Sequence, residues 1–321
     1  MRVKNPATMR LRYRADARAL AFILGSLGVQ ALGFVLLPES WPARIAWCIV
    51  ACQTSFVCAV IAHNTLHCPM FTTKGANRVV QYLLSLATGD AVSSFVPGHN
   101  LGHHTHLQSA KDTMRTSKLR FRWNLLNQLL FLFVVGGALV KHTYRYVWSV
   151  RNRRPKWFRQ FVSELVLLGG VYAGLIIAFG VVPFLLYAFI PHMFASWGII
   201  GINFVQHDGC DSEHPVNHSR NFVGRFVNWW VFNNGYHGIH HMHPSLHWSL
   251  LPEAHTRELS PTIHPSLEQR SLIGYCVKAY VWPGRRVTYT GEPLMLPPPI
   301  PDESWVPSGV EMQQVSLGAE A

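Results

Sequence analysis

The sequence predicts an all-α membrane protein: about four membrane-crossing helices, arranged as two hairpins beneath a histidine-rich cap on the cytoplasmic side. Three observations carry this prediction. Of the 321 residues, 49% are hydrophobic and only 14% charged, against about 25% charged in an ordinary globular chain. Four apolar runs have the length of a bilayer span, about 20 residues. The 18 histidines outnumber the 16 acidic residues, and they bunch at 63–67, 99–106 and 237–247 instead of scattering.

Residues 1–18 form a basic cytoplasmic N-terminus with Arg2, Lys4, Arg10, Arg12, Arg14 and Arg18. The run Ala19 to Leu37 is longer than the apolar core of a secretory signal, so it reads as a retained first span. Pro38 and Pro42 bracket a turn, and the second run, Ala43 to Ala62, ends at His63. Phe161 to Gly180 and Val182 to Val205 form the second hairpin, with Pro183 at the turn and His207 at the end. Each hairpin therefore returns to a histidine. Two weaker segments, Val79 to Val96 and Trp123 to Val140, are expected to lie in the interface or dip partway. Four spans keep every Lys and Arg except Arg44 on the cytoplasmic side, as the positive-inside rule requires. Six spans, with both weak segments crossing, would do the same. The membrane domain is expected over 19–281, followed by a flexible Pro-rich tail over 282–321.

The net charge of +12 has no nucleic-acid motif beside it, and Lys and Arg flanking spans account for it. The six cysteines form no CxxC and no disulfide framework; they read as small buried residues.

The histidine clusters carry the chemistry. His63 and His67 stand four apart, on one helix face. His99 and His103 share a face, while His104 is turned about 100° from its neighbour. His207 stands alone. His237 and His241 share a face, with His240 turned away from it. Adjacent His pairs point in two directions, so a pair suits two ions lying side by side, and nine imidazoles are too many for one ion. Imidazole suits zinc, copper, iron and nickel. A zinc-protease HExxH is absent, since Asn64 follows His63.

These clusters resemble the histidine boxes of the membrane fatty acid desaturase and alkane hydroxylase superfamily. His63-x3-His67 is similar to the first box, His99-x3-His103-His104 to the second and His237-x2-His240-His241 to the third. The segment Asn203 to Gly209 resembles the isolated histidine motif of the alkane hydroxylase branch. The resemblance covers residues 20 to 260 in the same order and with matching distances between boxes. It implies a non-haem centre of two iron ions that uses O2 to attack an unactivated C–H bond. Carried over residue by residue, it implies the ligands His63, His67, His99, His103, His104, His207, His237, His240 and His241. Relatives often carry an acidic residue where Asn64 stands, which puts one supporting contact in question.

Asp90, Asn203, Asp208 and Asp211 are candidates to support the ligands. Asp90 is an acid within an apolar run, expensive without a role, and Asn203 stands one turn before His207, where it could hold a water. His106, His243, His247 and His255 lie close to the boxes. His142, His192, His214, His218 and His264 are assigned ordinary roles. Gly169, Gly170, Gly174, Gly198 and Gly201 could admit a chain between spans or simply pack helices closely.

The expected activity is oxidation of a fatty acyl chain or related lipid, with desaturation the first choice and hydroxylation or oxidative decarboxylation by the same site the alternative. With no CxxC and no nucleotide-binding loop, electrons are expected from a separate ferredoxin, rubredoxin or cytochrome with its reductase. A metal-transporting membrane protein is the reading from another class. It would place ligands near mid-bilayer, whereas His63 and His207 end their spans.

Overall fold

The structure is a computed structural model that describes residues 9–306. Arg2, Lys4 and the last part of the Pro-rich tail lie outside the described residues. Helix α1 (Asp16–Leu36) closes with Leu37 at a φ of 40° just before Pro38. Helix α2 (Trp41–His67) opens where the Ser40 hydroxyl accepts from the Ala43 N–H, satisfying one of the donors left free at a helix start. After α3 (Lys74–Thr88) and α4 (Val92–His106) come α5 (Asn124–Val150), α6 (Pro155–Phe179) and α7 (Val181–His207), the last two joined at Gly180. Two short helices, α8 (Arg225–Trp230) and α9 (His237–Met242), belong to the cap. The cap also holds a two-residue parallel pairing of β1 (Asn221–Phe222) with β2 (Glu268–Gln269).

Among the described residues, five helices are long and apolar enough to cross a membrane: α1, α2, α5, α6 and α7. The chain is a multi-pass membrane protein with one more such helix than the four expected. The difference is α5. Its apolar run stops at Lys141, but the helix continues to Val150 because His142, Tyr146 and Val150 repeat at four-residue spacing and are all buried. That stripe gives the polar half of α5 a packed face. On its other side, Phe133 is 67% exposed and Trp148 58%, an apolar surface suited to lipid.

The other weak segment, Val79 to Val96, falls in α3 and the start of α4, which meet at an angle of 93°. A break inside a bilayer leaves backbone groups that need partners, because water is absent there. Neighbouring helices supply them. Gln30 of α1 donates to the carbonyl of Ala87 at 3.0 Å, and the Ser55 hydroxyl of α2 donates to the same oxygen. On the α4 side, Glu164 of α6 accepts from the Ser93 N–H and hydroxyl, both at 2.9 Å. Gly89 turns the chain with a φ of +74°, and a Cβ there would run into the His192 ring. His192 itself bridges the Tyr172 hydroxyl (2.6 Å) and Gln30 (3.1 Å). It belongs to the packing of the break, in keeping with its ordinary role.

Residues 283–306 run without helix and are pinned to the cap. Arg286 grips Asp208 through Nε at 3.0 Å and Nη2 at 2.5 Å, and also donates to the carbonyls of Leu119 and Thr116. Asp302 pairs with Arg115 and Lys118, and Trp305 is buried against Tyr146 and Val150.

Candidate metal centre

Helix α2 delivers His63 and His67 on its last turn, α4 delivers His99, His103 and His104, α7 ends on His207, and α9 carries His237, His240 and His241. The fold gathers these nine imidazoles into two groups. His63, His67, His99, His104 and His240 form one; His103, His207, His237 and His241 form the other. Within each group every residue offers a nitrogen within 4.8 Å of the others. The adjacent pairs divide: His103 and His104 go to different groups, as do His240 and His241.

The donor set fits metal ions. His99 and His104 bring their Nε2 atoms to 3.0 Å, and His104 and His240 to 3.2 Å. In the second group His103–His207, His207–His237 and His237–His241 stand at 3.2, 2.9 and 3.1 Å between Nε2 atoms. Two imidazole nitrogens sharing one ion at roughly 2.1 Å are separated by about 3.0–3.4 Å at coordination angles near 90–110°. A neutral ring has one N–H only, so hydrogen bonds among the rings cannot satisfy these convergent nitrogens. His67 Nε2 is buried with no protein partner at all. Burial, reinforced by the neighbouring histidines, holds His237, His240 and His241 well below the ordinary histidine pKa, which keeps them neutral and able to ligate.

Several of the gathered rings are oriented from behind, an arrangement usual for metal-binding histidines. His103 Nδ1 lies 2.9 Å from Asp112, and both side chains are fully buried. Asp112 also accepts the N–H groups of Gln108 and Met114. Burial raises its pKa, but the His103 ring and these donors outweigh that and hold it below the usual carboxylate value. His207 Nδ1 donates to the carbonyl of His218 at 3.1 Å. His63 Nδ1 meets the Asn64 amide oxygen at 3.1 Å, so Asn64 makes through its amide the contact that its lack of charge had put in question.

The four supporting candidates scatter. Asn203 is 6% exposed, and neither its amide oxygen nor its nitrogen has a protein partner. Asp90 accepts from the Ser196 hydroxyl at 2.5 Å. Asp208 is taken by Arg286. Asp211 is exposed and caps a turn by accepting the Glu213 N–H. Neither Asp208 nor Asp211 bonds to a ligand ring. Asp112, which does, was missed, because an acid in a polar loop nine residues after a histidine looks like any surface acid.

Of the remaining histidines, His243, His247 and His255 pair with Glu258, Asp16 and Glu268, and His106 ends α4 outside both groups. His214 and His264 cap turns by accepting backbone N–H groups. His142 packs near Trp305. His218 lies nearer the centre than its sequence position suggested: besides holding His207, its ring centroid is 5.7 Å from that of His241.

A cavity of about 320 Å³ abuts the two groups. His63, His99 and His237 form its inner end, with Asn203, Gln206 and Asn234 beside them. Its walls are apolar, with Leu132, Leu139, Phe161, Ile199 and Ile200 among them, and Asp90 and Ser196 also line it. Val140, Tyr144 and Leu165 line it too while being 57%, 55% and 43% exposed. The cavity thus reaches the outer surface between α5 and α6. The glycines along it are Gly98 and Gly136. Gly169, Gly170 and Gly174 face open space, and Gly198 and Gly201 pack tightly on Phe56 and Gln128.

No curated protein matches this sequence. The family model described as fatty acid desaturase matches residues 39–270. That stretch runs from the start of α2 past the third histidine cluster, and so takes in all nine gathered histidines. Matched over more than two-thirds of its length, the chain belongs to the fatty acid desaturase family.

Proposed function

We propose that this protein uses O2 at two histidine-bound iron ions to oxidise an unactivated C–H bond in a fatty acyl chain or related lipid, with desaturation as the outcome. The observation that carries this reading is the apolar cavity whose inner end is formed by His63, His99 and His237, residues drawn from both histidine groups. The five histidines of one group and the four of the other would hold one ion each. Bound iron supplies O2 activation and the removal of hydrogen from carbon.

The chain's own residues do the rest. The walls of the cavity take up a hydrocarbon chain entering from the lipid side between α5 and α6, and they exclude water from it. Asn203 has a free amide oxygen and nitrogen beside the histidines and is suited to holding a water there. Loss of a second hydrogen gives an alkene, and oxygen transfer gives an alcohol, so the positioning of the chain against the histidine end decides between them. We favour desaturation because the chain belongs to the fatty acid desaturase family. Electrons come from a separate acidic carrier such as a ferredoxin, rubredoxin or cytochrome, for which the basic surface is complementary.

The topology we favour has four true crossings, α1, α2, α6 and α7, with the histidines and both termini cytoplasmic. Both ends of α5 pack on cap-side segments: Asn124 donates to the Ala279 carbonyl, and Val150 packs with Trp305 and Leu101 beside the metal centre. The bent pair α3–α4 also starts and ends near the histidines. Both then leave the basic block 151–159 on the cap side.

Expression with a reductase system and mass spectrometry of cellular lipids tests the reaction. The expected product is two mass units lighter than its saturated precursor. A product sixteen units heavier would replace desaturation with hydroxylation, and no oxidised lipid at all from the iron-loaded protein would refute the enzymatic reading.

A further inference from the structure

A second cavity, of about 240 Å³, lies between α3 and α6, away from the histidines, and is lined by Arg78, Tyr82, Lys156, Arg159, Gln160 and Ser163. Three cations and three neutral polar side chains meet there without an acid in the lining. None of the three cations has a hydrogen-bonded or ion-paired acidic partner among the described residues. Glu164, the acid nearest in sequence, is fully buried and turned to Ser93 and Gln160. The floor is pre-set: the Tyr82 hydroxyl and Ser163 Oγ lie 2.7 Å apart across the two helices. Three like charges held around one hollow repel one another, and an anion with several acceptor oxygens relieves that repulsion.

The same helices continue with apolar side chains on their outer surface. Val79, Val162 and Val166 are 57%, 39% and 69% exposed. A basic, hydroxyl-floored hollow at one end of a lipid-facing apolar surface matches a molecule with a phosphate head and hydrocarbon tails. We propose that this hollow binds the headgroup phosphate of an anionic phospholipid. It is separate from the histidine cavity and from the proposed oxidation. Basic pockets between spans are a physical solution for such headgroups, with roughly fivefold in affinity from each Lys or Arg near an anionic surface.

Native mass spectrometry of the full-length, metal-loaded protein tests this with phosphatidylglycerol and phosphatidylcholine as probes. The wild type should retain one phosphatidylglycerol per chain in preference to phosphatidylcholine by tenfold or more. The combined variant Arg78→Gln, Lys156→Gln, Arg159→Gln should lose that preference. A control with the same loss of charge, Lys141→Gln, Arg151→Gln, Arg153→Gln, should keep it. If the combined variant does not fold, as judged by metal content, Lys156→Gln alone should reduce the preference about fivefold. Equal loss in the control would mean diffuse attraction only, and full retention in the pocket variants would mean another site; either overturns the proposal. Displacement of the lipid by millimolar inorganic phosphate would show that a free anion suffices and would overturn the lipid assignment.

Discussion

Asp112 works at the level of a single proton. Its carboxylate accepts from His103 Nδ1, which fixes the tautomer and leaves Nε2 free to face His207. Asp112→Asn keeps an acceptor at that place but removes the charge. Partners of this kind are worth about 10–100-fold in metal affinity, so chelator competition should show a loss of that size with the fold retained. Unchanged metal retention would mean that Asp112 only organises its loop. His207→Ala removes a donor whose ring nitrogen approaches both His103 and His237. Metal content and turnover should both collapse while the protein still inserts, as elemental analysis of the purified variant would show. His218→Ala should leave metal content nearly intact despite the closeness of its ring, because the contact it gives His207 comes from the backbone carbonyl, which alanine keeps. The clustered histidines were legible because their i, i+4 spacing declares a shared face without any tertiary information, and His207 because it ends an apolar run. Asp112 was not, because its value lies in where a loop returns.

The break between α3 and α4 is the element on which the second histidine cluster depends, since α4 carries His99, His103 and His104. Its backbone is satisfied from α1, α2 and α6, through Gln30, Ser55 and Glu164. Replacing Glu164 with Leu strands the Ser93 N–H and hydroxyl in an apolar setting, at about 1–3 kcal/mol for each lost partner. The midpoint of thermal unfolding in detergent should fall clearly, and Glu164→Gln should recover part of the loss. No fall in the leucine variant would refute this account of the break. The long apolar spans were readable from run length alone. The break was readable only as weakness, since Ser85, Asp90 and Ser93 dilute its hydropathy, and the partners of Asp90 and Ser93, Ser196 and Glu164, sit far away in the chain. The apolar run of α5 stops short of the helix for the opposite reason: its last ten residues carry polar side chains, but His142, Tyr146 and Val150, four apart, are buried.

Across the whole molecule, the two groups interleave so that two of the four histidine-bearing segments serve both. Helix α4 gives His99 and His104 to one and His103 to the other; α9 gives His240 to one and His237 and His241 to the other. Purified protein reconstituted without oxygen should therefore hold two iron ions per chain. One zinc and no iron would sink the di-iron reading. The spread of the histidines also sets what could be known in advance: the four clusters point to a candidate metal site, but which imidazole joins which group depends on how α4 and α9 face each other, and that is a property of the packed helices alone.

The position of α9 carries a consequence for how the protein is made. Synthesis proceeds from the N-terminal side, and the two groups receive His240 and His237 with His241 only near the end of the matched region. A nascent chain that has inserted all its long helices offers four imidazoles to one ion and two to the other. If the groups hold metal as proposed, the second of them, which takes two of its four imidazoles from α9, would be filled only after the long helices are in place. Under iron starvation the membrane would fill with inserted but unsealed chains. The weak point exposed to proteolysis in those chains would be the stretch around α9, while the hairpins beneath stay intact.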